Sequence, residues 1–250
     1  MIIIPDIHGR SFWKSAVAKA ERGEKIIFLG DYLDPYYREY DPLTDDVITQ
    51  ESALANFKEI LEFKRAHADQ VILLVGNHDV EYFLGTVSVR CDYDRFDEIG
   101  SLFMSNRDLF TIGYHCAIGK QPFTFSHTCI TEGWAKQASD VLGQCGSPEE
   151  VIDKVNQLDE VSLGRILNQI GWSRGGHDKF GSMVWADLDE AEDLGWGKSE
   201  TFQIFSHTLQ ASPDPVIDHR YAMLDVKRAF RLDEQLDAIW PMDRIVELEP

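Results

Sequence analysis

Five short stretches carry residues that hold metal ions or move protons, and each closes an apolar run: Asp6-Ile7-His8-Gly9, Gly30-Asp31-Tyr32-Leu33-Asp34, Gly76-Asn77-His78-Asp79, Phe125-Ser126-His127-Thr128 and Phe205-Ser206-His207-Thr208. A purely structural loop does not need such residues. In open α/β sheets the carboxyl ends of the strands face the ligand crevice, so loops far apart in sequence converge there. Two dications roughly 3.5–4 Å apart require a shared carboxylate, flanking oxygen and imidazole donors, and an open position for water. Asp31 is the natural bridge. Asp6 and His8, two residues apart on an extended exit from a strand, reach one ion, and Asn77, His127 and His207 can surround the other. A ligand set of N and O donors without thiolate suits Mn, Fe or Zn rather than a soft metal. Taken singly, Asp6, Asp31 and Asn77 also fit turn and helix-cap positions. Together with three strand-end histidines they fit a metal centre better.

The elements that must present these loops are legible in the apolar pattern. Ile2 to Ile4, Lys25 to Leu29 and Val71 to Val75 read as strands. Between them, Ser11 to Arg22 and Asp46 to His67 read as helices, the second placing Leu54, Phe57 and Leu61 on one face. Strands alternating with crossover helices imply an α/β sheet. Beyond Asp79 the pattern turns to α+β: helical pieces over Phe96 to Asn106, then strand runs at Thr111 to Ala117 and Pro122 to Phe125. Thr131 to Gln169 reads as helices broken near Gly143 to Pro148, a candidate cap with a good helix start at Ser147-Pro148-Glu149-Glu150. Further strand runs at Met183 to Trp185, Thr201 to Phe205, Val216 to Ile217 and Tyr221 to Leu224 suggest a second sheet packed on the first.

The five motifs, in this order over Asp6 to Thr208, resemble the signature D-x-H, G-D-x-x-D, G-N-H-D/E, H and G-H of the calcineurin-like metallophosphoesterases, closest to the phosphoprotein phosphatase (Ser/Thr phosphatase-like) branch. The resemblance implies a four-layer α/β/β/α sandwich over a single domain of residues 1–250, with a helical cap insertion about 131–180. It implies that Asp6, His8 and Asp31 hold a first divalent ion and Asp31, Asn77, His127 and His207 a second, with Mn foremost and Fe or Zn next. It further implies that His78 protonates the leaving oxygen with Asp34 orienting it, and that the attacking group is a metal-bridging hydroxide. A neutral Asn ligand leaves the adjacent His78 able to donate a proton, in keeping with general acid logic. Serine and cysteine nucleophile motifs are lacking, which agrees with that chemistry.

Two departures from the family pattern bear on substrate. The phosphoprotein phosphatase branch carries Arg-Gly after G-D-x-x-D, where this chain has Pro35-Tyr36, so that branch's phosphate-clamping arginine is missing. The phosphodiesterase branch ends in G-H-x-H, where Leu209 stands here. Ser206 and Pro5 replace glycines at positions that need not touch metal. Another cation must then hold phosphate. Arg174, in the loop Gly171 to Gly176, is the first candidate, because a guanidinium can grip phosphate bidentately, with Arg38, Arg10 and Lys198 behind it. His67, His115, His177 and His219 lack partner spacing and read as surface or core residues. Trp172, Trp185 and Trp196 read as packing before pocket lining, and the acidic runs Asp41 to Asp46 and Asp187 to Asp193 as solvated loops.

The favoured activity is phosphomonoester hydrolysis on a phosphorylated small molecule or phosphoprotein. The alternatives are phosphodiester or dinucleoside polyphosphate cleavage and, less favoured because His78, Asp31 and the metal histidines are all kept, a non-catalytic scaffold. Composition agrees with an enzyme of ordinary globular make-up. The chain has 250 residues, with 24 Lys plus Arg against 43 Asp plus Glu, a formal charge of −19. That excess disfavours attraction to nucleic acid or to an anionic membrane surface. No apolar run approaches the ~20 residues of a membrane span, and Met1 leads straight into the first strand. Four cysteines without paired metal spacing read as reduced thiols, so a cytoplasmic location is expected. Oligomeric state is not legible.

Overall fold

The computed structural model of the chain describes residues 1–85, 91–197, 199–210, 212–236 and 238–248. Lys198, one of the sequence candidates for phosphate, lies outside the described residues. The chain divides into two compact units. The first comprises Met1–Thr111, Lys227–Gln235 and Ile245–Pro250, the second Ile112–Val226 and Leu236–Arg244. Strands run in chain order as β1 (Ile2–Ile4), β2 (Ile26–Phe28), β3 (Val71–Leu74), β4 (Phe110–Thr111), β5 (Gly113–Ile118) and β6 (Gln121–Ser126). They continue as β7 (Phe202–Phe205), β8 (Val216–Ile217), β9 (Tyr221–Met223), β10 (Phe230–Leu232) and β11 (Ile245–Glu247). The protein is therefore mixed α/β with two sheets flanked by helices, the fold class that its motifs imply.

The sheet of the first unit has the order β11-β10-β1-β2-β3-β4, with β1 to β4 parallel. Ile2, Ile3 and Ile4 are fully buried, as expected of a parallel strand covered on both faces, where an unbroken apolar run replaces alternation. Helix α1 (Trp13–Val17) packs on β1, and α2 (Gln50–Ala66) on β3. Thr49 caps α2 by accepting from the Ser52 N–H at 3.0 Å, and Leu54, Phe57, Ile60 and Leu61 form its buried stripe. Helix α1 ends earlier than its pattern suggests. The Lys19 and Ala20 N–H groups turn to the carbonyls three residues back, Ala16 and Val17, a tightening that closes a helix early.

Two further helices complete the first unit, α3 (Asn77–Leu84) and α4 (Phe96–Ser105). The apolar run expected as one strand over Thr111 to Ala117 divides. Phe110 and Thr111 pair with β3, whereas Gly113 onward pairs with β6 in the second sheet. Asn156 causes the break by taking the Ile112 N–H onto its Oδ1 at 2.9 Å.

In the second unit the order is β5-β6-β7-β9-β8, with β6, β7 and β9 parallel. Helices α5 (Glu132–Gln137), α6 (Ser139–Leu142), α7 (Pro148–Val155) and α8 (Glu160–Leu167) fill the stretch read as broken helices, and α7 packs on β5. Ser147 caps α7 with proline at its start. Met183 to Trp185, expected as a strand, is instead a turn: the Trp185 and Ala186 N–H groups both donate to the Ser182 carbonyl at 2.8 Å. Met183 and Val184 are fully buried. A short apolar run signals burial, and here a turn satisfies the backbone instead of a ladder. Among the described residues no helix is long and apolar enough to cross a membrane.

Candidate active site

In the first unit three loops leave the ends of β1, β2 and β3 and are tied to one another through their backbones. The Ile7 and His8 N–H groups donate to the Asp31 carbonyl at 3.1 and 2.7 Å. Asp79, fully buried, accepts from the N–H groups of Asp31 (2.7 Å), Gly76 (2.8 Å) and Tyr32 (3.1 Å). Burial and the neighbouring Asp31 charge push the Asp79 pKa up, against the pull of these three donors. Tyr32, inside G-D-Y-L-D, drops into the core, stacks on Phe57 at 5.2 Å and donates its hydroxyl to the Leu74 carbonyl at 2.8 Å. Burying such a ring stabilises by ~1.5–3 kcal/mol, and it pins the residue beside Asp31.

The glycines of the G-D and G-N pairs have a steric cause. A Cβ on Gly30, whose φ is +108°, would lie 2.4 Å from the Gly76 nitrogen, and one on Gly76 would lie 2.2 Å from Asp31 Oδ1. The loops touch through bare backbone. Asp31 itself sits at φ +53°, His8 at +43° and Asp34 at +57°. Non-glycine residues held in the left-handed region are costly and cluster at functional sites.

These constraints gather Asp6, His8 and Asp31, all buried, with ligand atoms within 4.8 Å of one another. His8 Nε2 lies 3.5 Å from Asp31 Oδ2 and 3.9 Å from Asp6 Oδ2. Its Nδ1 lies 2.8 Å from the Leu33 carbonyl. A carbonyl can only accept, so that contact puts the proton on Nδ1 and turns the Nε2 lone pair toward the carboxylates, the usual orienting bond of a metal-ligating imidazole. Two carboxylates and one oriented imidazole buried together fit a divalent ion. Arg10, also buried, supports the cluster from behind. Its Nη1 donates to the Asp6 carbonyl at 3.1 Å and its Nε to Glu39 Oε1 at 2.8 Å. Both contacts fix the guanidinium in place behind Asp6. Exposed Arg38 lies over the Tyr37 ring at 5.2 Å.

Beside this cluster, Asn77 and His78 open α3, with Asn77 buried. The His78 N–H donates to Asp31 Oδ1 at 3.0 Å, and its ring meets that of His8 edge to face, with centroids 5.3 Å apart. His78 Nδ1 lies 2.9 Å from Asp34 Oδ2, and the Tyr82 hydroxyl donates to Asp34 Oδ1 at 2.6 Å. Burial first, and then Asp34, push the Tyr82 pKa up, so the phenol stays protonated.

In the second unit the parallel pairing of β6 with β7 sets His127 and His207 at the same end of neighbouring strands. The Ser206 N–H donates to the His127 carbonyl at 2.9 Å, and His127 Nε2 lies 3.1 Å from His207 Nδ1. His207 is left-handed at φ +77°. Trp185 stands edge-on to it with centroids 6.1 Å apart. Arg174 reaches the next residue, its Nη2 donating to Thr208 Oγ1 at 2.6 Å while its Nε pairs with Asp187 Oδ2 at 2.6 Å. Trp196 is a core residue that donates to the Ile130 carbonyl, whereas Trp172 is exposed. Asp187 also caps the short helix Leu188–Asp193, and Asp41 accepts from Ser11, so parts of both acidic runs have structural duties.

Sequence reasoning missed Tyr82 and Asp79. Both carried a signal, because a helix opening at Asn77 puts Asp79 at its third residue, where a carboxylate reaches back to the cap N–H. The same helix puts Tyr82 one turn after His78.

Two helix-flanked sheets with a buried Asp/His cluster at strand ends form a scaffold on which a divalent ion can be held. The calcineurin-like phosphoesterase family matches residues 1–210, and the chain belongs to that family. The family typically binds divalent metal ions, and the buried cluster of the first unit can hold one. No curated protein matches the chain in sequence. Among solved structures it is similar to a cold-active protein tyrosine phosphatase of a psychrophilic Shewanella species, at 14% identity and a TM-score of 0.53 over 92% of this chain and 73% of that one. A point mutant of a cold-active protein tyrosine phosphatase aligns at 13% identity and a TM-score of 0.54, over 99% and 80% of the two chains. At such identities the likeness concerns the fold.

Proposed function

We propose that the protein is a metal-dependent phosphatase that hydrolyses a phosphomonoester of a small molecule or phosphoprotein. The carrying observation is the buried Asp6, His8 and Asp31 cluster, with His8 turned by Leu33, standing beside the His78 and Asp34 pair. Asp6, His8 and Asp31 would hold one divalent ion and Asp31, Asn77, His127 and His207 the second, an assignment resting on the motif order and on family membership. Such ions, Mn foremost, supply Lewis-acid charge to the phosphoryl oxygens and to water.

The chain's own residues do the rest. Water adds to phosphorus, releasing one proton to solvent, as the ester P–O bond breaks. The departing oxygen keeps the bonding pair and takes a proton from His78 Nε2, while Asp34 holds the opposite ring nitrogen. Arg174, steadied by Thr208 and Asp187, grips phosphate oxygens. A cytoplasmic place of work is supported by cysteines that stay outside disulfides among the described residues, the ordinary state of thiols in a reducing compartment.

The test compares p-nitrophenyl phosphate with bis-p-nitrophenyl phosphate, using Mn-loaded protein. Preferential turnover of the monoester supports the reading, and preferential turnover of the diester replaces it with a phosphodiesterase.

A further inference from the structure

We propose that Tyr82 is a positioning residue for proton transfer, holding Asp34 so that its second oxygen keeps the His78 imidazole aimed at the leaving group. The inference rests on the reading of His78 as the general acid. Its own support is geometric. Tyr82 and His78 lie four residues apart on α3, hence on one helical face. Tyr82 gives its hydroxyl proton to Asp34 Oδ1 at 2.6 Å and accepts the Asp92 N–H at 2.7 Å. The phenol oxygen is thus fixed from two sides, and Asp34 is anchored at one oxygen by Tyr82 and at the other by His78. The Tyr82 ring lies parallel to Phe103, 7° between planes at 6.2 Å, and packs on Phe96 at 5.3 Å. Tyr82, Phe103 and Asp34 are all buried.

The terminal torsion of an aspartate is broad and roughly two-fold. A carboxylate tied at one end only can swing, and the imidazole bound to it swings too. Tyr82 adds a restraint on that torsion at Oδ1. The phenol needs no charge change for this role, because it stays a donor throughout. A hydroxyl kept solely to satisfy the Asp92 N–H would leave the proton step untouched, which separates a structural from a positioning role.

The distinguishing readout is dependence on the leaving group. p-Nitrophenolate departs with little help from an acid, whereas phenolate from phenyl phosphate needs the proton. Tyr82→Phe keeps the ring and its packing. Because a general acid contributes about 10²–10⁴-fold, this variant should lose about 10- to 50-fold in kcat on phenyl phosphate. On p-nitrophenyl phosphate it should lose about threefold or less. KM and bound metal should be unchanged.

In a His78→Asn background the same substitution should add nothing. Replacing Tyr82 with 4-aminophenylalanine, which retains ring and donor, should restore the wild-type ratio of the two substrates. That form also decides the matter should the phenylalanine variant fail to fold, since loss of the ratio with the donor retained overturns the proposal. Equal losses on both esters, or losses that multiply with those of His78→Asn, overturn it as well. If wild-type protein hydrolyses both esters and His78→Asn shows the leaving-group effect while Tyr82→Phe does not, the role of Tyr82 alone falls. If loaded wild-type protein hydrolyses neither ester, the phosphatase reading falls first.

Discussion

Replacing Asp79 with alanine strikes the point where the loops after β2 and β3 are joined. Its carboxylate satisfies the buried N–H groups of Gly76, Asp31 and Tyr32. Each buried donor left without a partner costs about 1–3 kcal/mol, so three set a gross loss of about 3–9 kcal/mol. Two effects reduce it. Water entering the vacated space can satisfy a donor, and removal of a buried charge beside Asp31 relieves the repulsion and desolvation that push the Asp79 pKa up. A net destabilisation of roughly 3–5 kcal/mol follows, well beyond the usual effect of a point substitution. Because one of the three donors is the Asp31 N–H, metal affinity should fall too, by about the 10- to 100-fold seen when a partner behind a ligand is lost. Urea unfolding of chelator-treated protein measures the first effect and metal titration the second. A variant within about 1 kcal/mol of wild type, with undiminished metal affinity, would refute the view that Asp79 holds the loops.

His78→Asn should reduce turnover by about 10²–10⁴-fold with bound metal retained; loss of metal, read by elemental analysis, would make His78 a ligand instead of the acid. Arg174→Ala forfeits charged hydrogen bonds worth about 1.5–3 kcal/mol. Inhibition by inorganic phosphate should therefore weaken by about 10- to 100-fold, and an unchanged inhibition constant would remove Arg174 from the site. Burial works to raise the Glu39 pKa, but its bond to Arg10 and the charges of Arg10 and Lys227 hold it below the usual glutamate range. Its stabilisation is therefore complete above the ordinary value of ~4.3 and is lost as pH falls through the lower folded value. The gap in urea stability between wild type and Glu39→Gln should accordingly be full near about pH 6 and shrink toward about pH 3; a gap that widens on acidification would contradict this sign.

The strand-end motifs were legible because strand and ligand lie next to each other in sequence: Ile2 to Ile4 announces burial, and Asp6 and His8 follow at once. The central strands of both sheets and the cap of α7 were legible for the same local reason. Less visible was whatever depends on distant backbone. Met183 to Trp185 has a strand's composition, yet it turns on the Ser182 carbonyl, and no periodicity distinguishes a buried turn from a buried strand over three residues. Helix α3 was hidden because it begins inside the G-N-H-D motif, whose polar residues read first as chemistry. With the helix overlooked, Tyr82 carries no visible role, although the helix sets it one turn from His78. Arg10 is a similar case. It is legible only as a guanidinium, and its bonds to the Asp6 carbonyl and Glu39 depend on backbone and side chains that sequence does not place.

The central claim, a metal-dependent phosphoesterase, is tested most directly by titrating Mn into chelator-treated protein while following both bound metal and hydrolysis of p-nitrophenyl phosphate. The ligand assignment predicts about two ions per chain, with turnover rising as they bind. Hydrolysis at full rate by metal-free protein, or none by fully loaded protein, would contradict it.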